Sequence, residues 1–159
     1  MIIANNISNV NYNQIIYCNI MRNNIIDGFF TKINYTTEFV VLNGLYITLP
    51  ICTTIYNNNK IKFDPTCNHN FKLINEFSTL ENDILNKYIK YKNININKKQ
   101  ILLLQLQTGF MKVYTDVAEY NNTFLEYNSH KRLVIKISGI WETSTECGIT
   151  YKLFDGNNM

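Results

Sequence analysis

Lysines and aromatic residues recur two positions apart in stretches that lie far from one another in the chain. "FFTKINYT" (29–36) holds Phe30 and Lys32, and "FMKVYTDV" (110–117) holds Lys112 and Tyr114. "RLVIKISGIW" (132–141) holds Lys136 and ends on Trp141, the single tryptophan, and "GITYKLF" (148–154) holds Lys152. Residues two apart in an extended strand leave the backbone on the same side, so each stretch offers a lysine on one side and apolar residues such as Ile33, Val113 and Ile135 on the other. Ammonium groups neutralise phosphate oxygens, and ring faces stack on unpaired bases for about 1 to 3 kcal/mol each. If the strands are neighbours, Phe30, Lys32, Lys112, Tyr114, Lys136 and Lys152 form one basic, ring-bearing face, and Trp141 lies either at its edge or in the core. That face suits single-stranded nucleic acid. A lysine on a solvated strand is also an ordinary guard against edge aggregation, so the reading depends on convergence.

Other chemistry is poorly represented. No glycine-rich phosphate loop, metalloprotease pair or nucleophile elbow occurs in the sequence. Cys67 and His69, in "CNH", could begin a metal site, but Cys18, Cys52 and Cys147 are distant and no CxxC exists, so no metal and no cofactor is expected. His69 and His130 stand in polar surroundings, and Glu81 with Asp83 or Asp116 with Glu119 are spaced like helix or loop charges. A non-catalytic protein is the expectation. Gly139 and Gly148, on either side of the polar connection "ETSTEC", mark a bulge or a close approach to the backbone. Glu142 and Glu146 in that connection are expected to point away from the basic face, because inward carboxylates would repel phosphate.

The elements that must position these side chains follow from hydrophobic period. Short β-branched and apolar runs at 14–21, 29–36, 39–50 and 60–63 read as strands, with "NNN" (57–59) and "DPTCNHN" (64–70) as loops. Asn43-Gly44 is either a two-residue hairpin turn or a bulge in one bent strand. "STLE" has capping-box spacing, with Ser78 as N-cap and Glu81 reaching back, and Leu80, Ile84, Leu85, Tyr88 and Ile89 follow at helical spacing. "NKKQ" (97–100) begins a second, short helix that Gly109 ends in the left-handed conformation. Period two returns at 110–117, 132–141 and 148–154, with a polar loop at 118–131.

Strands at about 14–64, a helical insertion at about 78–108 and strands at about 110–154 make a single domain over residues 1–159, mainly β with a helical insertion (α+β). An OB-fold-like antiparallel β-barrel, with the helix between its third and fourth strands, matches this order, and a β-sandwich with a covering helix is the alternative. The net charge of +3 permits a nucleic-acid partner without demanding one. No apolar stretch reaches the roughly 20 residues of a membrane span. Widely spaced cysteines and an N-terminus without a leader pattern lead us to expect reduced thiols and an intracellular protein. The Asn and Ile bias, as in "NININ" (93–97), suits an AT-rich genome.

"LNGLYI" (42–47), "QTGFMKVYTD" (107–116) and "KISGIWETSTECGITYKL" (136–153) resemble segments of small proteins of nucleocytoplasmic large DNA viruses. The last block is also similar to the closing hairpin of podophage-type single-stranded DNA-binding proteins, where a Trp is followed by a turn, a Gly and a Lys-bearing strand. Trp141, Gly148, Lys152 and Leu153 are the matching positions. The resemblance implies an OB-fold that binds single-stranded DNA during viral replication, with viral replication or virion proteins as further partners. It also implies location in the host cytoplasm or viral factory, or alternatively in the virion. That family's acidic C-terminal tail has no counterpart in "DGNNM", so tail-mediated recruitment is expected to be missing or to reside elsewhere. The competing expectation is a viral structural protein, of capsid or assembly type, that uses the same face for protein contacts. Oligomeric state stays open.

Overall fold

A computed structural model describes residues 4–57, 59–114 and 132–156. Expected strand residues 115–117 and the loop 118–131, with Asp116, Glu119 and His130, lie outside the described residues. The chain forms β1 (Ile15–Arg22), β2 (Phe29–Thr36), β3 (Val41–Leu42), β4 (Leu45–Thr48), β5 (Thr53–Asn57) and β6 (Lys60–Phe63). There follow α1 (Asn68–Lys92), β7 (Asn97–Lys98), α2 (Ile101–Gln107), β8 (Phe110–Tyr114), β9 (Leu133–Glu142) and β10 (Glu146–Asp155). The protein is therefore mainly β with two helices inserted among the strands, an α+β fold, as the change of hydrophobic period predicts.

The strands make one mixed sheet in the order β1-β2-β9-β10-β8-β6-β5, with β3 on β2, β4 on β9 and β7 on β10. Among the described residues nothing pairs β1 with β5, so this sheet is open. It departs from the expected all-antiparallel pattern at β7 and β8, which both run parallel to β10. These two strands follow one edge of β10 in sequence, and α2 interrupts what would otherwise be a single parallel strand. At Asn43-Gly44 the pairing senses require the chain to reverse, yet the flanking strands do not pair with each other: β3 joins β2 and β4 joins β9. Gly44 carries the turn with φ +108°, a region where a side chain would be strained.

The helices cover one face only. Ile33, Tyr35, Met111, Val113, Ile135, Ile137, Ile140, Ile149 and Leu153 pack against Leu73, Phe77, Ile84 and Leu85 of α1 and Leu102 and Leu106 of α2. Each such side chain contributes about 1.5 to 3 kcal/mol by leaving water. α1 begins well before Ser78, because Leu73, Ile74 and Phe77 extend the same apolar stripe upstream. Ser78 is thus a mid-helix residue. Glu81 caps the other helix: its carboxylate accepts from the Leu102 and Leu103 amides at 3.0 and 2.9 Å. β5, which overlaps the expected loop 57–59 only at Asn57, pairs with β6, since Thr53, Tyr56 and Asn57 oppose Phe63, Ile61 and Lys60. Gly109, at φ +69°, ends α2 as expected.

Candidate nucleic-acid interface

Alternation sends the lysine-bearing side chains to the face away from the helices. In β2, Thr31, Ile33 and Tyr35 are buried while Phe30 and Lys32 are half-buried on the opposite side. In β8, Met111 and Val113 are buried while Phe110, Lys112 and Tyr114 are exposed. Lys152 is exposed between half-buried Tyr151 and buried Leu153 in β10.

β9 reaches this face by breaking alternation. Ile135, Ile137 and Ile140 all enter the core, so one extra residue lies between the last two. The pairing identifies it as a bulge: Thr150 opposes Gly139 and Tyr151 opposes Ile137, leaving Ser138 unmatched. Ser138 Oγ donates to the Thr150 carbonyl at 3.2 Å. The bulge reverses parity beyond it. Trp141 therefore emerges on the same side as Lys136, where unbroken alternation would have buried it with Ile135 and Ile137.

Register then aligns the lysines. Lys136 stands directly opposite Lys152, and Lys60 directly opposite Lys112. The two pairs meet over Tyr114, whose ring centroid lies 5.0 Å from the Lys152 ammonium and 5.1 Å from that of Lys112. At the ends of the row, Lys136 sits 5.3 Å over the Tyr46 ring and Lys60 5.6 Å over Phe110. Such cation–π contacts contribute about 0.5 to 1 kcal/mol each at exposed sites, and like charges placed opposite one another lose a comparable amount. The ion pairs Lys92–Glu142 at 3.2 Å and Lys99–Glu146 at 3.5 Å use other lysines.

A second row lies further along the strands. Phe30 opposes Trp141, which opposes Gly148, and Lys32 opposes Gly139. The indole rests on Gly148, where an added Cβ would come within 2.6 Å of Cζ2. The tip of the Phe30 ring rests on Gly139 in the same way, 2.4 Å from where a Cβ would stand. Both glycines are therefore close-approach positions, and Gly139 also flanks the bulge.

Phe30, Lys32, Lys112, Tyr114, Lys136, Trp141 and Lys152 accordingly share the helix-free face. Lys60, Lys62, Tyr46 and Phe110 also lie on it and were missed as site residues. The signal for Phe110 and Lys60 was present, since both belong to the alternating sets of "FMKVY" and "KIKF". Tyr46 is 9% exposed and sits between core residues Leu45 and Ile47, and only its register opposite Lys136 reveals it.

Behind the face, Glu142 does point away, into the core side. Its Oε2 accepts from the Tyr88 hydroxyl at 2.8 Å, and that hydroxyl lies 2.8 Å from Thr31 Oγ1. Burial raises the Tyr88 phenol above its ordinary range. The neighbouring Cys147 thiol is pushed up to about 11 by burial and then by the Glu142 charge, which keeps it protonated near neutrality. Cys67 precedes α1 without a side-chain capping bond, and His69 Nε2 lies 2.7 Å from the Pro50 carbonyl. Among the described residues no three His, Cys, Asp or Glu side chains are grouped to hold a metal ion. Comparison with protein-family models, curated proteins and solved structures found no match for this chain.

Proposed function

We propose that this chain is a non-catalytic single-stranded DNA-binding protein of a large DNA virus, holding the phosphate backbone with lysines and stacking bases on rings of the same face. The observation that carries the reading is the row Lys136, Lys152, Lys112 and Lys60, aligned by register beside an aromatic pair seated on glycines. Two directly opposed lysine pairs oppose folding, and a polyanion would relieve them. Replication in the host cytoplasm or a viral factory is the setting that fits. The OB-fold-like barrel and the β-sandwich are finer versions of the observed sheet and belong to the same proposal.

The test is a titration with oligothymidylate followed by Trp141 fluorescence. Binding is expected to weaken steeply with salt, and joint replacement of Lys112, Tyr114 and Lys136 by alanine to lower affinity more than about tenfold. An unchanged affinity in that variant overturns the reading. The edge strand β1 favours a second one, a capsid or assembly protein, because Ile16, Ile20 and Met21 are 49%, 46% and 51% exposed there. Recovery of the protein as a stoichiometric particle component that ignores oligonucleotides at low salt would select it.

A further inference from the structure

The rings on this face fall into two kinds. Tyr114 carries two ammonium groups, Phe110 one, and nearly buried Tyr46 one, so their faces are taken up by lysine. Among the described residues no ammonium lies over Phe30 or Trp141. These two instead continue outward to Met21, which stands directly opposite Phe30 on β1 and is half exposed. The row Met21, Phe30, Trp141 is thus apolar, seated on glycine on its Trp141 side, and set along the strands from the lysine row.

On the basis of the single-stranded DNA reading, we infer that the face divides its ligand: the lysine row takes phosphates, the Met21–Phe30–Trp141 row takes bases, and Tyr114 positions lysines without stacking on a base. Met21 on β1 and Lys60 on β6 mark the two ends of this face, with β2, β9, β10 and β8 between them. Met21 and Lys60 are therefore separated by five strand spacings, about 24 Å at about 4.8 Å each, and by the four-residue offset from Gly148 to Lys152 along β10, about 13 Å. At about 3.4 Å per stacked nucleotide, the resulting diagonal of about 27 Å accommodates about eight nucleotides, within the range known for single domains that bind single strands. A short single strand crossing the sheet obliquely satisfies both rows. A duplex, whose bases are stacked on each other, leaves the apolar row empty.

The division gives two separable signatures in oligothymidylate titrations over a range of salt. Each phosphate contact contributes about 0.7 to the slope of log affinity against log salt for single strands. Lys60→Ala is expected to reduce that slope by about 0.7. Tyr114→Leu is expected to reduce it too, by releasing the two lysines it holds. Trp141→Ala is expected to lower affinity about tenfold and Met21→Ala about threefold, at every salt concentration and with the slope unchanged. Lys60 and Met21 are exposed, so these two variants keep the test informative even if Trp141→Ala fails to fold, which thermal unfolding will show. Tyr114→Leu behaving like Trp141→Ala would overturn the division while leaving DNA binding intact. Absence of oligothymidylate binding by the unaltered protein would overturn both. Equal binding of polyglutamate, insensitive to Met21→Ala and Trp141→Ala, would reassign the lysine row to an acidic protein partner and also overturn it.

Discussion

Trp141 and Glu142 are neighbours in the chain and belong to opposite sides of the same sheet, and the two sides treat charge in opposite ways. On the inner side Lys92 has a carboxylate at 3.2 Å, and that carboxylate has a tyrosine hydroxyl, which in turn meets Thr31. On the outer side Lys60, Lys112, Lys136 and Lys152 have rings beneath them and one another beside them. Charges taken from water need satisfied partners, so the inner set is arranged for folding. The outer set places like charges directly opposite one another, at a small loss of stability. Position in the chain does not distinguish the two sets; the direction in which each side chain leaves the sheet does.

This contrast can be broken at its inner side first. Glu142→Ala leaves the Tyr88 hydroxyl and Lys92 without their acceptor and is expected to lower stability by about 3 kcal/mol in urea unfolding. A loss below about 0.5 kcal/mol would place the inner lysine in the same class as the outer ones.

Glu81 offers a second, somewhat smaller test, because its carboxylate caps α2 from α1. Glu81→Ala is expected to cost about 2 kcal/mol, since it leaves the amides of Leu102 and Leu103 without their acceptor. Burial raises the Glu81 carboxyl above its ordinary value of 4.5, against the lowering effect of the α2 amides. A raised folded value means that the folded state holds the proton longer than the unfolded one. The resulting stability is full below the ordinary value and is lost as pH rises through the folded value. The stability difference between the unaltered protein and Glu81→Gln should therefore shrink or change sign as pH rises above the ordinary carboxyl value. A difference independent of pH would show that this carboxyl is not shifted.

The smallest effect belongs to the outer row. Lys152→Gln removes both the repulsion with Lys136 and the contact over Tyr114, so the stability of the free protein is expected to change by less than about 0.5 kcal/mol while oligonucleotide binding weakens. Added salt should stabilise the unaltered protein more than this variant, and thermal unfolding at two salt concentrations reads the difference.

Much of this was legible from residue order alone. The alternation in "FFTKINYT" and "FMKVY" correctly separates Lys32 and Lys112 from Ile33 and Val113, because side-chain direction in a strand is a local property of period two. The helical stripe through Leu80, Ile84 and Tyr88 was equally clear, although its start was misplaced. Capping-box spacing at Ser78 and Glu81 is a local pattern that the upstream stripe overrides: once Leu73 and Phe77 are buried, Ser78 is inside a helix and Glu81 is free to serve another one. The parallel course of β7 and β8 escaped notice because short strands carry no record of the direction of their partners.

Residue order by itself determined which side chains leave each strand together, where the period changes from two to helical and back, and that lysines and rings would share sides. These are consequences of backbone geometry over a few residues. The tertiary structure alone decided that Lys136 meets Lys152 and Lys60 meets Lys112, that the bulge at Ser138 turns Trp141 outward, and that Glu81 caps α2. Each of these depends on a hydrogen-bonded partner far away in the chain, and a one-residue shift in that pairing would send every side chain beyond it to the other face.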